Sequence, residues 1–187
     1  MTQSRSVSLI LAATDPAFGI GRKGQLPWHL KGEMKYFKQV TMDSTVIMGR
    51  KTWYSIPVEY RPLVNRKNVV ISRDPSACYG TGVLACTSVE SALGQCDKNK
   101  SIFVIGGAEI YKACLPYADK MFITLIKDES NKIKCDTFFR FNQNEWQMQP
   151  SERLKEALGK DVDIPDNCSV TEDGLEYTFT LWERRNV

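Results

Sequence analysis

The chain has 187 residues, of which 42% are hydrophobic and 25% charged, and its net charge is +3. This length predicts a single globular domain over residues 1–187, and the scattered Lys and Arg give no basic patch that would predict a nucleic-acid partner. No apolar run reaches the roughly 20 residues of a membrane-spanning helix, and no signal-peptide pattern precedes the first apolar run, so we expect a cytoplasmic protein without a membrane partner.

The cysteines show no metal-site or disulfide pattern. None of them belongs to a Cys-x-x-Cys pair, and the single histidine, His29, is far in sequence from all of them. We therefore expect reduced thiols and no metal site, and a Cys–His nucleophile pair stays open only as an alternative. The six cysteines are Cys78, Cys86, Cys96, Cys114, Cys135 and Cys168.

The first part of the chain alternates short apolar runs with helical patterns. Apolar runs of this length are typical of strands that are buried on both faces of a sheet. In chain order the pattern predicts a strand at Val7–Ala13, a helix over 31–40, a strand at Thr45–Gly49, a short helical turn at Arg50–Ser55 ended by Pro57, and a strand at Asn68–Ser72.

The same alternation continues to Lys127 and then stops. Residues 128–174 are polar and interrupted by Asn, Pro and Gly, so they predict only one short strand, at Trp146–Gln149. The alternating residues of Glu176–Trp182 are typical of an antiparallel strand. Between these regions we predict a helix at Ser88–Cys96 with Ser88 as its cap, a strand at Ser101–Gly106, a helix at Gly107–Leu115 and a strand at Met121–Ile126. Strands alternating with helices indicate an α/β open sheet.

One carboxylate lies on the apolar face of the first helix. Leu30, Glu33, Met34 and Phe37 are spaced by three and four residues, so they share one face, and no Arg or Lys lies on it. Burying an ionised carboxylate is costly unless it meets donors or takes up a proton. Glu33 therefore either needs a partner from elsewhere or a ligand, or it lies tolerated at the edge of the face.

The segment Gly19–Gly24 matches the letters Gly-x-Gly-x-x-Gly of a dinucleotide-binding fingerprint. That fingerprint must follow a strand directly and open a helix, whereas here Asp15-Pro-Ala-Phe intervenes and Pro27 follows. We interpret the segment as a flexible loop whose glycines allow positive φ, and which could close over a site.

Three strand ends carry groups that suit phosphate. These are Gly49-Arg50-Lys51-Thr52, Ser72-Arg73 and Gly106-Gly107-Ala108. Backbone N–H groups at helix starts, together with Arg and Lys, attract phosphate, and ligands of open parallel sheets bind at the carboxyl ends of strands. A solvated basic turn explains the first stretch about equally well. Taken together, the three predict a dinucleotide, and the cations favour a 2′-phosphate and hence NADP over NAD.

In this order, Leu-Pro-Trp at 26–28, the inward Glu33, Val-Ile-Met-Gly-Arg-Lys-Thr-Trp at 46–53, Ser-Arg at 72–73 and Val-Ile-Gly-Gly at 104–107 resemble the dihydrofolate reductase family. The resemblance covers essentially the whole chain, through Asp136-Thr-Phe-Phe139. It implies an open, mostly parallel eight-stranded sheet flanked by helices, with the C-terminal strand antiparallel. It also implies NADPH-dependent reduction of 7,8-dihydrofolate to tetrahydrofolate for one-carbon and thymidylate metabolism, sensitivity to antifolates such as methotrexate, no metal, and a monomer.

The resemblance also assigns roles to residues. The catalytic group is Glu33, which delivers a proton to N5, with Trp28 holding the neighbouring water, Thr124 joining that network and Leu26 bordering the nicotinamide. The substrate-binding residues are Leu11, Glu33, Met34, Phe37, Ile56, Leu63, Arg66, Ile105 and Thr124, with Arg66 on the glutamate carboxylate. The cofactor-binding residues are Ala12, Ile20, Gly49, Arg50, Lys51, Thr52, Ser72, Arg73, Gly106, Gly107, Ala108, Glu109, Ile110 and Tyr111, with Gly106-Gly107 as the family's cis pair.

Two alternatives stay open at this point. One is a related pterin or pyrimidine reductase such as the reductase of the riboflavin pathway, against which Arg66 and the apolar pair Met34 and Phe37 argue. The other is a binding protein that uses the same pocket without turnover, either for RNA or as a folate carrier. A carrier would have little need of Glu33 as a proton donor.

Overall fold

The structure, a computed structural model, describes residues 6–186 of the chain. Its α-helices are α1 (Lys31–Thr41), α2 (Arg50–Ser55), α3 (Val89–Gly94), α4 (Ala108–Cys114) and α5 (Ser151–Leu158). Its strands are β1 (Val7–Asp15), β2 (Gly19–Gly21), β3 (Thr45–Gly49), β4 (Lys67–Ile71), β5 (Val83–Cys86), β6 (Ile102–Gly106), β7 (Lys120–Lys127), β8 (Thr137–Phe138), β9 (Trp146–Met148), β10 (Ser169–Glu172) and β11 (Leu175–Arg184). Short 3₁₀ turns lie at Val58–Tyr60, Leu115–Tyr117 and Gln143–Glu145.

Eight strands form the main sheet in the order β10-β11-β7-β1-β6-β3-β4-β5, and β9 adds to it by pairing with β11. The pairs β1–β6, β3–β6, β3–β4 and β4–β5 are parallel. Antiparallel pairing joins β11 to β7 and to β10. The predicted fold class, a mostly parallel sheet with an antiparallel C-terminal strand, is confirmed.

The described chain divides into two compact units. The first unit contains residues 6–9 and 41–118. Its strands β3 and β4 are buried along nearly their whole length, which explains why they read as continuous apolar runs. Helix α3 begins at the predicted cap, because the Ser88 hydroxyl accepts a hydrogen bond from the backbone N–H of Ser91.

The second unit contains residues 10–40 and 119–186. Its core lies under α1 and along the long β7–β11 pair, where Phe179 is opposite Thr124 and Tyr177 is opposite Ile126. The ring of Tyr36, on α1, stacks on Phe179 with 4.0 Å between ring centroids. A single domain over residues 1–187 remains our prediction.

The structure corrects the predicted elements in the polar regions. Residues 128–174 contain α5, β8 and β10 besides the predicted strand near Trp146, and β5 was also not predicted. These elements bury few side chains: α5 buries only Leu154, and no residue of β10 is fully buried. They also lie in a polar stretch that Asn, Pro and Gly interrupt, so no apolar run marks them in the sequence.

Among residues 6–186, no helix combines the length and the apolar character that crossing a bilayer would require.

Candidate active site

Glu33 lies on the buried face of α1. Leu30, Glu33 and Tyr36 are buried, whereas Met34 is 53% exposed and Phe37 is half-buried. Of the two alternatives left open by the sequence, Glu33 takes the inward one, but the predicted face is shifted. Tyr36 takes the inner position because its ring stacks on Phe179, and this leaves Met34 facing outward.

Burial dominates the ionisation of Glu33. Its side chain is 8% exposed, and Oε1 accepts a hydrogen bond of 3.2 Å from the hydroxyl of Thr124, on β7. Loss of water raises the pKa of the carboxyl to about 7, and the Thr124 hydrogen bond only partly opposes this. A carboxyl group with this pKa can hold or release a proton at neutral pH.

Trp28 lies on the segment that leads into α1, and it carries an unpaired polar atom. Its ring is buried, and its indole Nε1 has no hydrogen-bond partner among the described residues. A buried N–H normally finds an acceptor, so this one favours a bound water or ligand oxygen. Leu26, two residues earlier, is 58% exposed, which leaves its side chain free to contact a ligand.

The glycine segment differs from the predicted loop. Its first half is the strand β2, in which Gly19 is opposite Phe138 and Gly21 is opposite Thr137 of β8. A Cβ on Gly19 would lie 2.5 Å from the sulfur of Cys135, so this glycine serves close packing and not a positive φ.

Only Gly24 among the three glycines has a positive φ, of 75°. It belongs to a tight turn in which the backbone groups of Arg22 and Gln25 form two mutual hydrogen bonds. The carboxylate of Asp136 accepts a hydrogen bond of 2.8 Å from the backbone N–H of Lys23. The tip of the segment is therefore a braced hairpin.

The other predicted residues of the second unit lie on its strands. Leu11, which is buried, and Ala12 are neighbours on β1, and Ile20 is the half-buried middle residue of β2. Of the site residues predicted in this unit, the structure brings Glu33 and Thr124 into direct contact.

In the first unit, two of the three predicted phosphate sites lie where a helix begins. Gly49 precedes α2 and Gly107 precedes α4, and neither helix has a side-chain hydrogen bond at its N-terminus. The Gly106–Gly107 peptide is cis, as the resemblance implies. The residues Arg50–Thr52 and Ala108–Tyr111 form the first turns of these two helices.

The cations of these strand ends face solvent. Arg50, Lys51 and Arg73 are exposed, and within residues 6–186 none of them forms an ion pair. Ser72 is buried, and its hydroxyl accepts a hydrogen bond of 3.2 Å from the N–H of Asp74. The charge of Arg50 contributes to lowering the pKa of Asp74, after hydrogen bonds from Ser76.

Arg66 is held in place by oxygens that carry no charge. Its Nε donates to the carbonyl of Val64 at 2.9 Å, and its Nη1 donates to the hydroxyl of Thr41 at 3.0 Å. Burial lowers its pKa, and no carboxylate of the described chain pairs with it. An oriented, half-buried guanidinium without a carboxylate partner suits a carboxylate ligand.

The segment around Arg66 is fixed by Asn68, which we did not predict as a site residue. The buried Asn68 amide donates to the carbonyls of Leu63 and Arg66 and accepts from the N–H of Leu63, each at 2.9 Å. An amide at the start of a buried strand is the signal that could have revealed this role. Leu63 is half-buried here, as are Ile56, which follows α2, and Ile105 on β6.

Glu172 is a further residue that sequence reasoning did not find. Its carboxylate accepts hydrogen bonds from the backbone N–H groups of Lys31 and Gly32, at 2.6 and 2.9 Å. It lies in the polar region to which we assigned no role, about 140 residues from α1, so no local pattern connects the two.

Within residues 6–186, no group of three or more His, Cys, Asp and Glu side chains could hold a metal ion. All six cysteines are free thiols.

Comparison with known proteins agrees with the family resemblance found in the sequence. The family model described as dihydrofolate reductase matches residues 6–165. Dihydrofolate reductase of Candida albicans is 38% identical over 96% of this chain and 98% of its own length. That of Pneumocystis carinii is 38% identical over 98% of this chain and 99% of its own length. The bifunctional dihydrofolate reductase-thymidylate synthase of Daucus carota is 43% identical over 72% of this chain and 28% of its own length. With this coverage by the family model and by full-length relatives, the chain belongs to the dihydrofolate reductase family of oxidoreductases.

Proposed function

We propose that this protein reduces 7,8-dihydrofolate to 5,6,7,8-tetrahydrofolate with NADPH as the reductant. The observation that carries the proposal is a single buried carboxyl group, Glu33, whose pKa is raised to about 7. Reduction of the pterin requires one proton at N5 together with a hydride at C6, and N5 must be protonated before C6 accepts hydride readily. A carboxyl group that is protonated near neutral pH supplies this proton.

The residues around Glu33 suit this role. Thr124 orients the carboxyl through its hydrogen bond, so the second carboxyl oxygen is left for the substrate or a water. The unpaired indole Nε1 of the buried Trp28 is a donor for such a water. We propose that Glu33 holds the pterin ring, that the water at Trp28 passes the proton to N5, and that Leu11 and Ile105 accept hydrogen bonds from the pterin amino group.

For the rest of the substrate, the proposal relies on Arg66. Dihydrofolate ends in a glutamate, whose carboxylate matches a guanidinium fixed by Val64 and Thr41. Exposed apolar side chains such as Met34 are available to pack against the ring system between pterin and glutamate. We assign this packing to Met34, Phe37, Ile56 and Leu63.

The residues proposed for NADPH fit a phosphate-rich dinucleotide. The uncapped starts of α2 and α4 offer backbone N–H groups, and Arg50, Lys51 and Arg73 offer unpaired positive charge. We propose that these residues hold the phosphates, with Arg73 reading the 2′-phosphate, and that Ala12, Ile20 and Leu26 border the nicotinamide. NADPH supplies the hydride of the reaction.

The same proposal places the protein in tetrahydrofolate and thymidylate metabolism, as a cytoplasmic monomer that antifolates inhibit. It needs no metal and no covalent nucleophile, because the proton comes from Glu33 and the hydride from the cofactor.

The test follows NADPH absorbance in a mixture of purified protein and dihydrofolate, with NADH in a parallel cuvette. We expect rapid loss of absorbance with NADPH, slower loss with NADH, and inhibition by methotrexate. Absence of turnover despite tight methotrexate binding would refute the enzymatic proposal and favour a binding protein.

A further inference from the structure

The first turn of α1 is capped by the hairpin formed by β10 and β11. Oε2 of Glu172 accepts from the N–H of Lys31 at 2.6 Å, and Oε1 accepts from the N–H of Gly32 at 2.9 Å. The Tyr177 hydroxyl donates to Oε1 of Glu172 at 3.0 Å. Two consecutive N–H groups that a helix cannot pair internally are thus paired with one carboxylate, which Tyr177 holds in turn.

The hairpin fixes where this carboxylate lies. Glu172 is the last residue of β10 and pairs with Leu175 across a two-residue turn. Both turn residues, Asp173 and Gly174, have positive φ, at 49° and 76°, which is the turn type that matches the twist of two antiparallel strands. Tyr177 is fully buried on β11, so its hydroxyl is positioned by the sheet.

Gly32 allows the helix to approach the hairpin closely. A Cβ at this position would lie 2.5 Å from the hydroxyl oxygen of Tyr177 and 3.0 Å from Oε1 of Glu172. Any larger residue would therefore separate the first turn of α1 from its cap. The contact between the first turn of α1 and the hairpin therefore depends both on glycine at position 32 and on the carboxylate of Glu172.

We propose that Glu172 is a positioning residue for Glu33, which holds the first turn of α1 so that the proton-donating carboxyl stays beside Thr124 and out of water. This inference rests on the proposed function, because it gives the capped helix a role in proton delivery. Glu33 is the third residue of α1, so loosening the first turn would admit water to its side chain. Hydration would then favour its ionised form.

The charges around Glu33 agree with this role. The Tyr36 and Tyr177 hydroxyls, which face Glu33, have pKa values raised mainly by burial, so neither is charged in the range where Glu33 titrates. Hydrogen bonds from Gly32 and Lys31, and from Tyr177, keep the pKa of Glu172 below its usual value. Glu172 therefore remains an ionised cap while Glu33 exchanges its proton.

The test is the titration of the Glu33 carboxyl in protein without substrate, followed by ¹³C NMR of labelled glutamate and assigned with E33Q. In Glu172→Gln we expect the pKa of Glu33 to fall by about one unit or more, because one acceptor and the charge are lost. The pH profile of dihydrofolate reduction should shift to lower pH by the same amount, with activity near that of the wild type at pH 5. A purely structural cap would lower the melting temperature and leave the titration unchanged.

Glu176→Gln is the matched control, since it removes the same charge from the same hairpin. Glu176 lies on β11, and within residues 6–186 its carboxylate forms an ion pair with Lys127, at 3.9 Å, and with no residue of α1. We expect the wild-type titration in this variant. An equal shift in both glutamine variants, or no shift in folded Glu172→Gln, would overturn the proposal.

Two further variants test the role of the cap if Glu172→Gln does not fold. Gly32→Ala should shift the titration in the same direction, because its Cβ displaces the hairpin. Adding Tyr177→Phe removes the atom at 2.5 Å and leaves the nearest ring carbon at 3.8 Å, so part of the shift should be recovered. An unshifted titration in folded Gly32→Ala would refute the inference. The titration needs no turnover, so a protein that fails to reduce dihydrofolate would refute the proposed function and leave this test intact.

Discussion

The hydroxyl of Thr124 donates to Oε1 of Glu33 over 3.2 Å, and both side chains are buried. This hydrogen bond favours the ionised carboxyl, while burial favours the protonated one, and burial is the larger effect. The balance leaves Glu33 with a pKa of about 7, close to the pH at which the proposed reaction needs a donor.

Replacing Glu33 with Gln should abolish proton delivery without disturbing the cofactor. We expect dihydrofolate reduction at pH 7 to fall by roughly 10²-fold or more, since an amide cannot donate the proton. Stopped-flow measurement of hydride transfer would report the loss. NADPH binding, followed by quenching of protein fluorescence, is the control and should be unchanged. A wild-type rate of hydride transfer in Glu33→Gln would show that Glu33 is not the proton donor.

The same substitution should reveal that Glu33 destabilises the protein at neutral pH. The pKa of Glu33 is raised from 4.5 to about 7 on folding, so the folded state binds this proton more tightly than the unfolded state. Its unfavourable contribution to the free energy of unfolding is therefore absent below pH 4.5, grows between pH 4.5 and 7, and is constant above pH 7. Relative to the wild type, Glu33→Gln should gain about 3 kcal/mol across this range. Urea unfolding at pH 5 and pH 8 measures the gain, and a difference between the two proteins that does not change with pH would contradict it.

Arg66→Leu should weaken binding of the substrate's glutamate. We expect KM for dihydrofolate to rise by roughly 10-fold or more, with little change in KM for NADPH, because a charge-assisted hydrogen bond is lost. A dihydropterin without the glutamate tail is the matched substrate, and its KM should be the same in both proteins. If Arg66→Leu instead weakened NADPH binding, the assignment of Arg66 to the glutamate carboxylate of dihydrofolate would be wrong.

Arg73→Ala should reduce the preference for NADPH over NADH. Loss of a guanidinium from a phosphate costs roughly 1–3 kcal/mol, so the ratio of the two kcat/KM values should fall by about 10-fold. Lys112→Ala, which removes another exposed cation of the first unit, is the control and should leave the ratio unchanged. If Arg73→Ala also leaves this ratio unchanged, residues other than Arg73 bind the 2′-phosphate.

Asn68→Ala should loosen the segment that carries Arg66. The buried Asn68 amide makes three hydrogen bonds to Leu63 and Arg66, so its removal should cost roughly 2–4 kcal/mol of unfolding free energy. KM for dihydrofolate should rise as well, and chemical denaturation with steady-state kinetics would measure both. Full stability in Asn68→Ala would show that water replaces the amide.

The sequence predicts best where an element is buried on both sides. The strand Thr45–Gly49 and the helix Arg50–Ser55 have the bounds that the apolar run and Pro57 predict. Surface elements such as α5 and β10 bury few side chains and lie in a polar stretch that Pro and Gly interrupt, so the apolar runs that mark the buried strands are missing there.

The candidate site shows the same contrast. Helix spacing placed Glu33 on the apolar face but left open whether it points inward or lies at the edge, and its partner Thr124 came only from the family resemblance. Glu172 could not be predicted, because a carboxylate that caps a helix from 140 residues away leaves no local pattern. Tyr36 displaced Met34 from the predicted face because aromatic stacking on Phe179 depends on a strand that is remote in sequence.

The cap of α1 also sets an order of events during translation. The helix leaves the ribosome long before Glu172 and Tyr177 are synthesised, so the N–H groups of Lys31 and Gly32 have no carboxylate partner in the nascent chain. Strand β11, which carries Tyr177, lies between β7 and β10 and must be inserted there before the cap can form. A nascent chain that ends before residue 172 therefore already contains Glu33 and Thr124 but lacks the groups that keep this carboxyl dry.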